Sequence, residues 1–149
     1  MRTEDELLLV CYVSSACEQV DESMLDELMK GSRERNERRG VTGLLLYSDG
    51  SFMQILEGPP RSVISLLHRI EEDPRHRKVQ RLLRRRTNER FFGDWSMACR
   101  RMTEDERRGI GAYAGLLDQA DQSEEDLIYR ETLPSWIQRL VREFQRINR

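Results

Sequence analysis

No stretch of this chain stays apolar over the twenty or so residues that a membrane-crossing helix needs. Its opening, Met1-Arg2-Thr3-Glu4-Asp5-Glu6, is too acidic for a secretory leader, so the expected location is the cytoplasm. Cysteine is scarce: Cys11, Cys17 and Cys99 form no metal-ligand spacing, and an odd count argues against a disulfide framework. They read as small packing residues, and no metal is expected. There is no glycine-rich dinucleotide turn, no phosphate-binding loop, no metalloprotease helix and no paired C-x-x-C. The two histidines, His68 and His76, have no nucleophile spaced to suggest a catalytic pair. Repeats and low-complexity segments are also missing.

What remains is a well-solvated composition, 38% hydrophobic and 35% charged, over 149 residues. That length holds one ordinary domain with a real core and some appended structure. The net charge of −2 conceals asymmetry. Residues 1–60 carry 6 basic and 12 acidic side chains, residues 61–101 carry 12 and 5, and residues 102–149 carry 7 and 10. The basic middle, including Arg75, Arg77, Lys78, Arg81, Arg84, Arg85, Arg86 and Arg90, reads either as a solvated surface or as an anion-binding face.

Leu7–Ser14 is predicted as a strand, with Leu8, Val10 and Tyr12 on one face. A helix follows from Asp21, a good N-cap, to Arg39, where Gly40 stops it. Its apolar stripe, Met24, Leu25, Leu28 and Met29, continues through Ser32 and Asn36, so the face expected to be buried turns polar in its last turns. Val41–Tyr47 and Ser51–Leu56 form a hairpin about Ser48-Asp49-Gly50. Pro59-Pro60 opens a second helix, which sends Val63, Leu66, Leu67 and Ile70 inward and ends at Asp73 before Pro74. Val79–Leu83 and Trp95–Cys99 complete a β-α-β-β-α-β-β order. This is an α+β, ferredoxin-like sheet with an extra strand and two helices on one face. Right-handed crossovers set the first strand beside the third. Residues 1–101 are read as this domain and 102–149 as a helical C-terminal extension. The extension has a Thr103/Glu106 capping box and an apolar stripe from Trp136 to Ile147 that must cover a sheet face or form an interface.

Gly50–Gly58 is the most informative segment, because it places the amide of Gln54 in the middle of an apolar strand. A buried amide needs partners for two donors and an acceptor, or folding loses a few kcal/mol. Tyr12 lies on the neighbouring strand. The phenol, the amide and the polar end of the first helix converge between sheet and helices, as a site for a polar, planar ligand would. Glu57 is a candidate general base by type, and equally a carboxylate favoured near a helix N-terminus; the structural role is preferred.

Six segments, in order and spacing, resemble the BLUF domain, a flavin-binding blue-light sensor. They are Tyr12-Val13-Ser14, Ser32 with Asn36, Gly40–Leu45, Phe52–Gly58, Asp73-Pro74-Arg75-His76 and Arg90–Met97. The resemblance spans about residues 6–101. It implies noncovalent FAD between the helices, with Asn36 bonding the pyrimidine edge of the ring and Arg75 and His76 nearby. Leu28 and Ile70 would sandwich the ring, Ser32 would line the pocket, Arg35 stands at a position that varies in the family, and Arg69 would serve the diphosphate. It also implies light-driven electron and proton transfer from Tyr12, a rearranged Gln54 and a reversible red-shifted state, with Trp95 and Met97 as output residues. The expected protein is thus a photosensory switch and not an enzyme, with a tail too short for an ordinary effector domain. It would signal to a downstream protein partner or through homo-oligomers. Two rivals are a nucleic-acid-binding module using Arg81–Arg90, which lacks an aromatic stacking pair on the sheet, and a redox flavoprotein.

Overall fold

The expected element order is realised as β1 (Leu7–Ala16), α1 (Glu22–Arg39), β2 (Thr42–Ser48), β3 (Ser51–Gly58), α2 (Pro60–Glu72), β4 (His76–Thr87) and β5 (Ala98–Arg101). This computed structural model describes residues 6–16, 22–48, 51–74, 76–93, 98–101, 103–109, 138, 139 and 142. The strands form one sheet in the order β4-β1-β3-β2-β5. All neighbours are antiparallel except β2 and β5. The first strand does lie beside the third.

Both faces of the sheet are covered. Leu8, Val10 and Tyr12 of β1 pack with Leu25 and Met29 of α1 and Val63 and Leu67 of α2. Their neighbours Leu9 and Cys11 point the other way, into a second cluster with Leu44, Met53, Ile55, Leu83 and Phe92. The central strand β3 is buried continuously from Phe52 to Gly58. Any polar side chain on β3 therefore has to be satisfied inside the protein.

The end of α1 is fixed by its backbone. Gly40 takes φ +71°, open to glycine at no steric cost. The amide of Val41 then donates to the carbonyl of Asn36 at 2.9 Å and that of Gly40 to Glu37 at 3.4 Å, the paired bonds of a Schellman cap. The cap holds the last turn, and with it Asn36, at a fixed height above the sheet. Pro60 occupies the first turn of α2, as expected, and the amide of Asp73 closes its end on the Ile70 carbonyl at 3.2 Å.

Two strands differ from expectation. β4 runs His76–Thr87 instead of Val79–Leu83, because it pairs with β1 over nearly the full length of that strand, and ladder pairing carries the Arg84–Arg86 run along with it. A bulge at Leu82 sets both Leu82 and Leu83 in the far-face cluster. β5 is Ala98–Arg101 where Trp95–Cys99 was expected; residues 94–97 lie outside the described residues. The Thr103/Glu106 capping box is formed: Thr103 N donates to Glu106 Oε1 at 2.9 Å and Glu106 N to Thr103 Oγ1 at 3.1 Å. Arg100 adds a bidentate pair to the same carboxylate, at 2.8 and 2.6 Å. Asp21 and most of the tail, including the Trp136–Ile147 stripe, lie outside the described residues.

β2 approaches β3 so closely at Gly43 that a Cβ there would stand 2.1 Å from the Ile55 carbonyl oxygen. Gly43→Ala should therefore force the hairpin apart and cost about 1–3 kcal/mol, as overpacking does. The urea midpoint measures this, and an unchanged midpoint would show that the close approach is not required.

Candidate functional site

Strand register places Tyr12 directly opposite Gln54, and Gln54 opposite Leu45, in one row across the helix-facing side of the sheet. Tyr12 is 1% exposed and Gln54 8%. The phenol donates a hydrogen bond to Oε1 of Gln54. That bond satisfies one buried polar group with another and fixes the orientation of the amide.

Above this row lies a cavity of about 280 Å³. Its floor is Tyr12, Leu45, Phe52 and Gln54 from the strands. One wall is α1, contributing Leu28, Met29, Ser32, Arg35 and Asn36; the other is the end of α2, contributing Leu66, Arg69, Ile70 and Asp73. The two walls thus carry aliphatic side chains, amides stand at the floor and on α1, and an arginine comes from each helix. Such a slot suits a planar aromatic group with hydrogen-bonding edges and an anionic appendage.

Every cavity residue expected from the sequence and described here is found in this one cavity: Tyr12, Leu28, Ser32, Arg35, Asn36, Gln54, Arg69 and Ile70. Arg75, Trp95 and Met97 lie outside the described residues, as does the side chain of His76, whose backbone opens β4 opposite Ala16. Four further lining residues carried no site role in the sequence: Met29 and Leu66 stand on apolar helix stripes, and Leu45 and Phe52 within the strand segments that carry the resemblance. Leu66 shares its helical spacing with Ile70, and both remain half-buried where Val63 and Leu67 are sealed; spacing alone does not separate the two pairs. Asp73 also lines the cavity, and its signal in the sequence is a carboxylate at a helix C-terminus, where the dipole disfavours negative charge.

Burial pushes the Tyr12 phenol far above its ordinary range, and Cys11 and Asp73 press the same way. Tyr12 is therefore a neutral hydrogen-bond donor throughout the physiological range. Glu57 takes no part in the cavity. It is fully buried on the opposite side of the sheet, where Oε1 accepts from Thr42 Oγ1 and from the Phe92 amide and Oε2 from the Phe91 amide, each at 2.8 Å. Burial raises the pKa of this carboxyl, against the downward pull of the two amides, Thr42 and Arg90. That is a structural carboxylate and not a general base. His68 is exposed on α2.

Three arginines of the basic block are engaged within the domain. Arg81 pairs with Glu71 at 2.7 Å and Arg86 with Glu6 at 3.1 Å, while Arg90 donates to Thr42 Oγ1 at 2.9 Å and to the Gly40 carbonyl at 2.7 Å. A nucleic-acid-binding face built on Arg81–Arg90 is correspondingly disfavoured.

The family model described as sensors of blue-light using FAD matches residues 7–98, and the chain belongs to this BLUF family. It is a blue-light flavin sensor. Over 93% of its length it is 31% identical to photoactivated adenylate cyclase subunit alpha of Euglena gracilis, and the matched part is 13% of that protein. The dark-state structure of BlrB, a BLUF protein, superposes with a TM-score of 0.64 at 31% identity, covering 94% of this chain and 96% of that one. BlrP1 of Klebsiella pneumoniae with FMN and cyclic diGMP gives 0.60 at 30% identity, covering 78% and 31%. The cavity fits a flavin: aliphatic walls for the faces of the ring, and the buried amides of Asn36 and Gln54 for its polar edge.

The raised phenol pKa links Tyr12 to stability. Its contribution is complete below about pH 10, the ordinary phenol value. Above that, unfolded chains release the proton that the native phenol keeps, so stability falls as pH rises. The difference in urea midpoint between wild type and Tyr12→Phe should be flat from about pH 7 to 9 and shrink above 10. A difference independent of pH through about 11 would contradict a sealed, proton-holding phenol.

Proposed function

We propose that the chain holds FAD noncovalently in this cavity and uses Tyr12 and Gln54 as its photochemical pair. The observation that carries the reading is the hydrogen bond from a buried phenol to a buried amide on the cavity floor. Leu28 and Ile70 hold the ring from either side, Asn36 bonds its pyrimidine edge, and Ser32 completes the polar rim. Arg35 and Arg69, one from each helix, favour a ligand with a diphosphate, which is the argument for FAD. Arg75 and His76 are assigned near the ring by sequence position alone.

When bound, the flavin supplies blue-light absorption and, once excited, a strong one-electron acceptor. Tyr12 is the oxidisable side chain of the cavity floor. A phenol that loses an electron becomes strongly acidic, and its proton already lies in a hydrogen bond to Gln54 Oε1. The proton therefore moves onto that oxygen. With its acceptor protonated, the Gln54 amide rotates or changes tautomer. Return of electron and proton restores neutral Tyr12 and leaves Gln54 in the new arrangement, offering the ring an additional hydrogen bond and shifting absorption to the red. The cycle is a switch with no substrate consumed.

Output is assigned to Trp95 and Met97 and, through them, to the extension at residues 102–149, which biases binding of a downstream protein or of a second copy in the cytoplasm. The apolar stripe Trp136–Ile147 in the sequence supports this route.

Tyr12→Phe and Gln54→Leu should each retain flavin and lose the reversible red shift, as read from light-minus-dark absorption spectra. A normal red shift in either variant would remove that residue from the mechanism.

A further inference from the structure

Behind the cavity, on the opposite side of the sheet, one carboxylate holds a whole segment in place. Glu57 is fully buried, and its two oxygens take the amides of Phe91 and Phe92 and the hydroxyl of Thr42. The next residue back, Arg90, is tied to Thr42 Oγ1 and to the Gly40 carbonyl. Phe92 itself is buried in the far-face cluster with Met53 and Ile55 of β3. An apolar side chain in place of Glu57 would strand two backbone amides, one of them wholly buried, so the position demands an acceptor on each side of its head group.

Both anchors of this segment lie next to cavity amides. Glu57 is three residues beyond Gln54 on β3, and Gly40 is four residues beyond Asn36 across the cap of α1. Movement at either amide reaches the segment through a few rigid, hydrogen-bonded residues. Packed interiors respond to such displacements by switching between discrete arrangements and not by yielding smoothly. A carboxylate held by three donors at 2.8 Å has no room to swing and absorb the movement.

We infer that Glu57 is a positioning residue that carries the Gln54 rearrangement through the sheet to the amides of Phe91 and Phe92, and so to the stretch leading into β5. This rests on the photoreceptor reading above. It adds a backbone route on the far side of the sheet, separate from the side chains of Trp95 and Met97.

The test uses the full chain loaded with FAD and labelled with ¹⁵N-phenylalanine. Only four amide signals arise, from Phe52, Phe91, Phe92 and Phe144. Phe52 lines the cavity and marks the photocycle itself. Blue light should shift the Phe52, Phe91 and Phe92 signals together and change the hydrogen-exchange rates of the last two. Because Glu57→Gln risks misfolding, Thr42→Val is the working variant; it removes the donor that shares Oε1 with Phe92 and one of the two Arg90 acceptors, and spares Oε2 and the Arg90 bond to the Gly40 carbonyl. It should keep the red shift and the Phe91 response while altering the light-induced shift of Phe92. A red shift with Phe52 moving while Phe91 and Phe92 stay fixed would overturn the inference and leave the photoreceptor reading intact, as would a Thr42→Val protein whose Phe92 response is unchanged. A wild-type protein with no red shift would overturn both.

Discussion

A phenol and a primary amide, opposite one another on adjacent strands and sealed from water, set the terms for the rest of this fold. Neither group can be buried alone without a penalty on the order of 1–3 kcal/mol. Each is therefore the other's condition for being there. The pairing also fixes register: a slip of one residue would turn Tyr12 into the far-face cluster and bring Cys11 to the cavity floor. The devices around it serve that register. Gly43 lets β2 close on β3, the bulge at Leu82 adjusts β4 beside Tyr12, and the cap at Gly40 sets Asn36 over the same row.

The two faces of the sheet divide the work. The helix side carries the cavity and, among the described residues, the groups proposed to meet the flavin. The far side carries Glu57, whose bonds to Thr42, Phe91 and Phe92 knit the end of the hairpin to the segment before β5. A central strand buried on both faces is what allows these roles to lie back to back, three residues apart on β3. The same burial that makes Tyr12 a firmly neutral donor makes Glu57 costly unless every lone-pair direction is used.

Much of this was legible in the sequence. Gln54 stood out because an amide inside an apolar strand needs a reason, and the polar turn at Ser32 and Asn36 stood out because it interrupts a helical stripe. Element order and handedness placed β1 beside β3 and so brought Tyr12 to Gln54. The length of β4 was not legible: Arg84–Arg86 carry no strand signal, and only pairing with β1 makes them one. The cavity roles of Leu66 and Met29 were hidden for a different reason. A leucine or methionine that lines a cavity and one that fills a core have the same helical spacing, and only the missing volume between the helices separates them. Nor could spacing show that Glu57 faces away from the ligand side, since alternation on β3 settles that only once Gln54 is placed.

The most direct measurement is the absorption spectrum of the purified, flavin-loaded chain in the dark, under blue light and during recovery. The account predicts flavin bands that move to the red without loss of intensity and return fully in the dark, because a buried amide has changed its hydrogen bonding and nothing has been consumed. Bands that bleach under light, or that do not move at all, would contradict it.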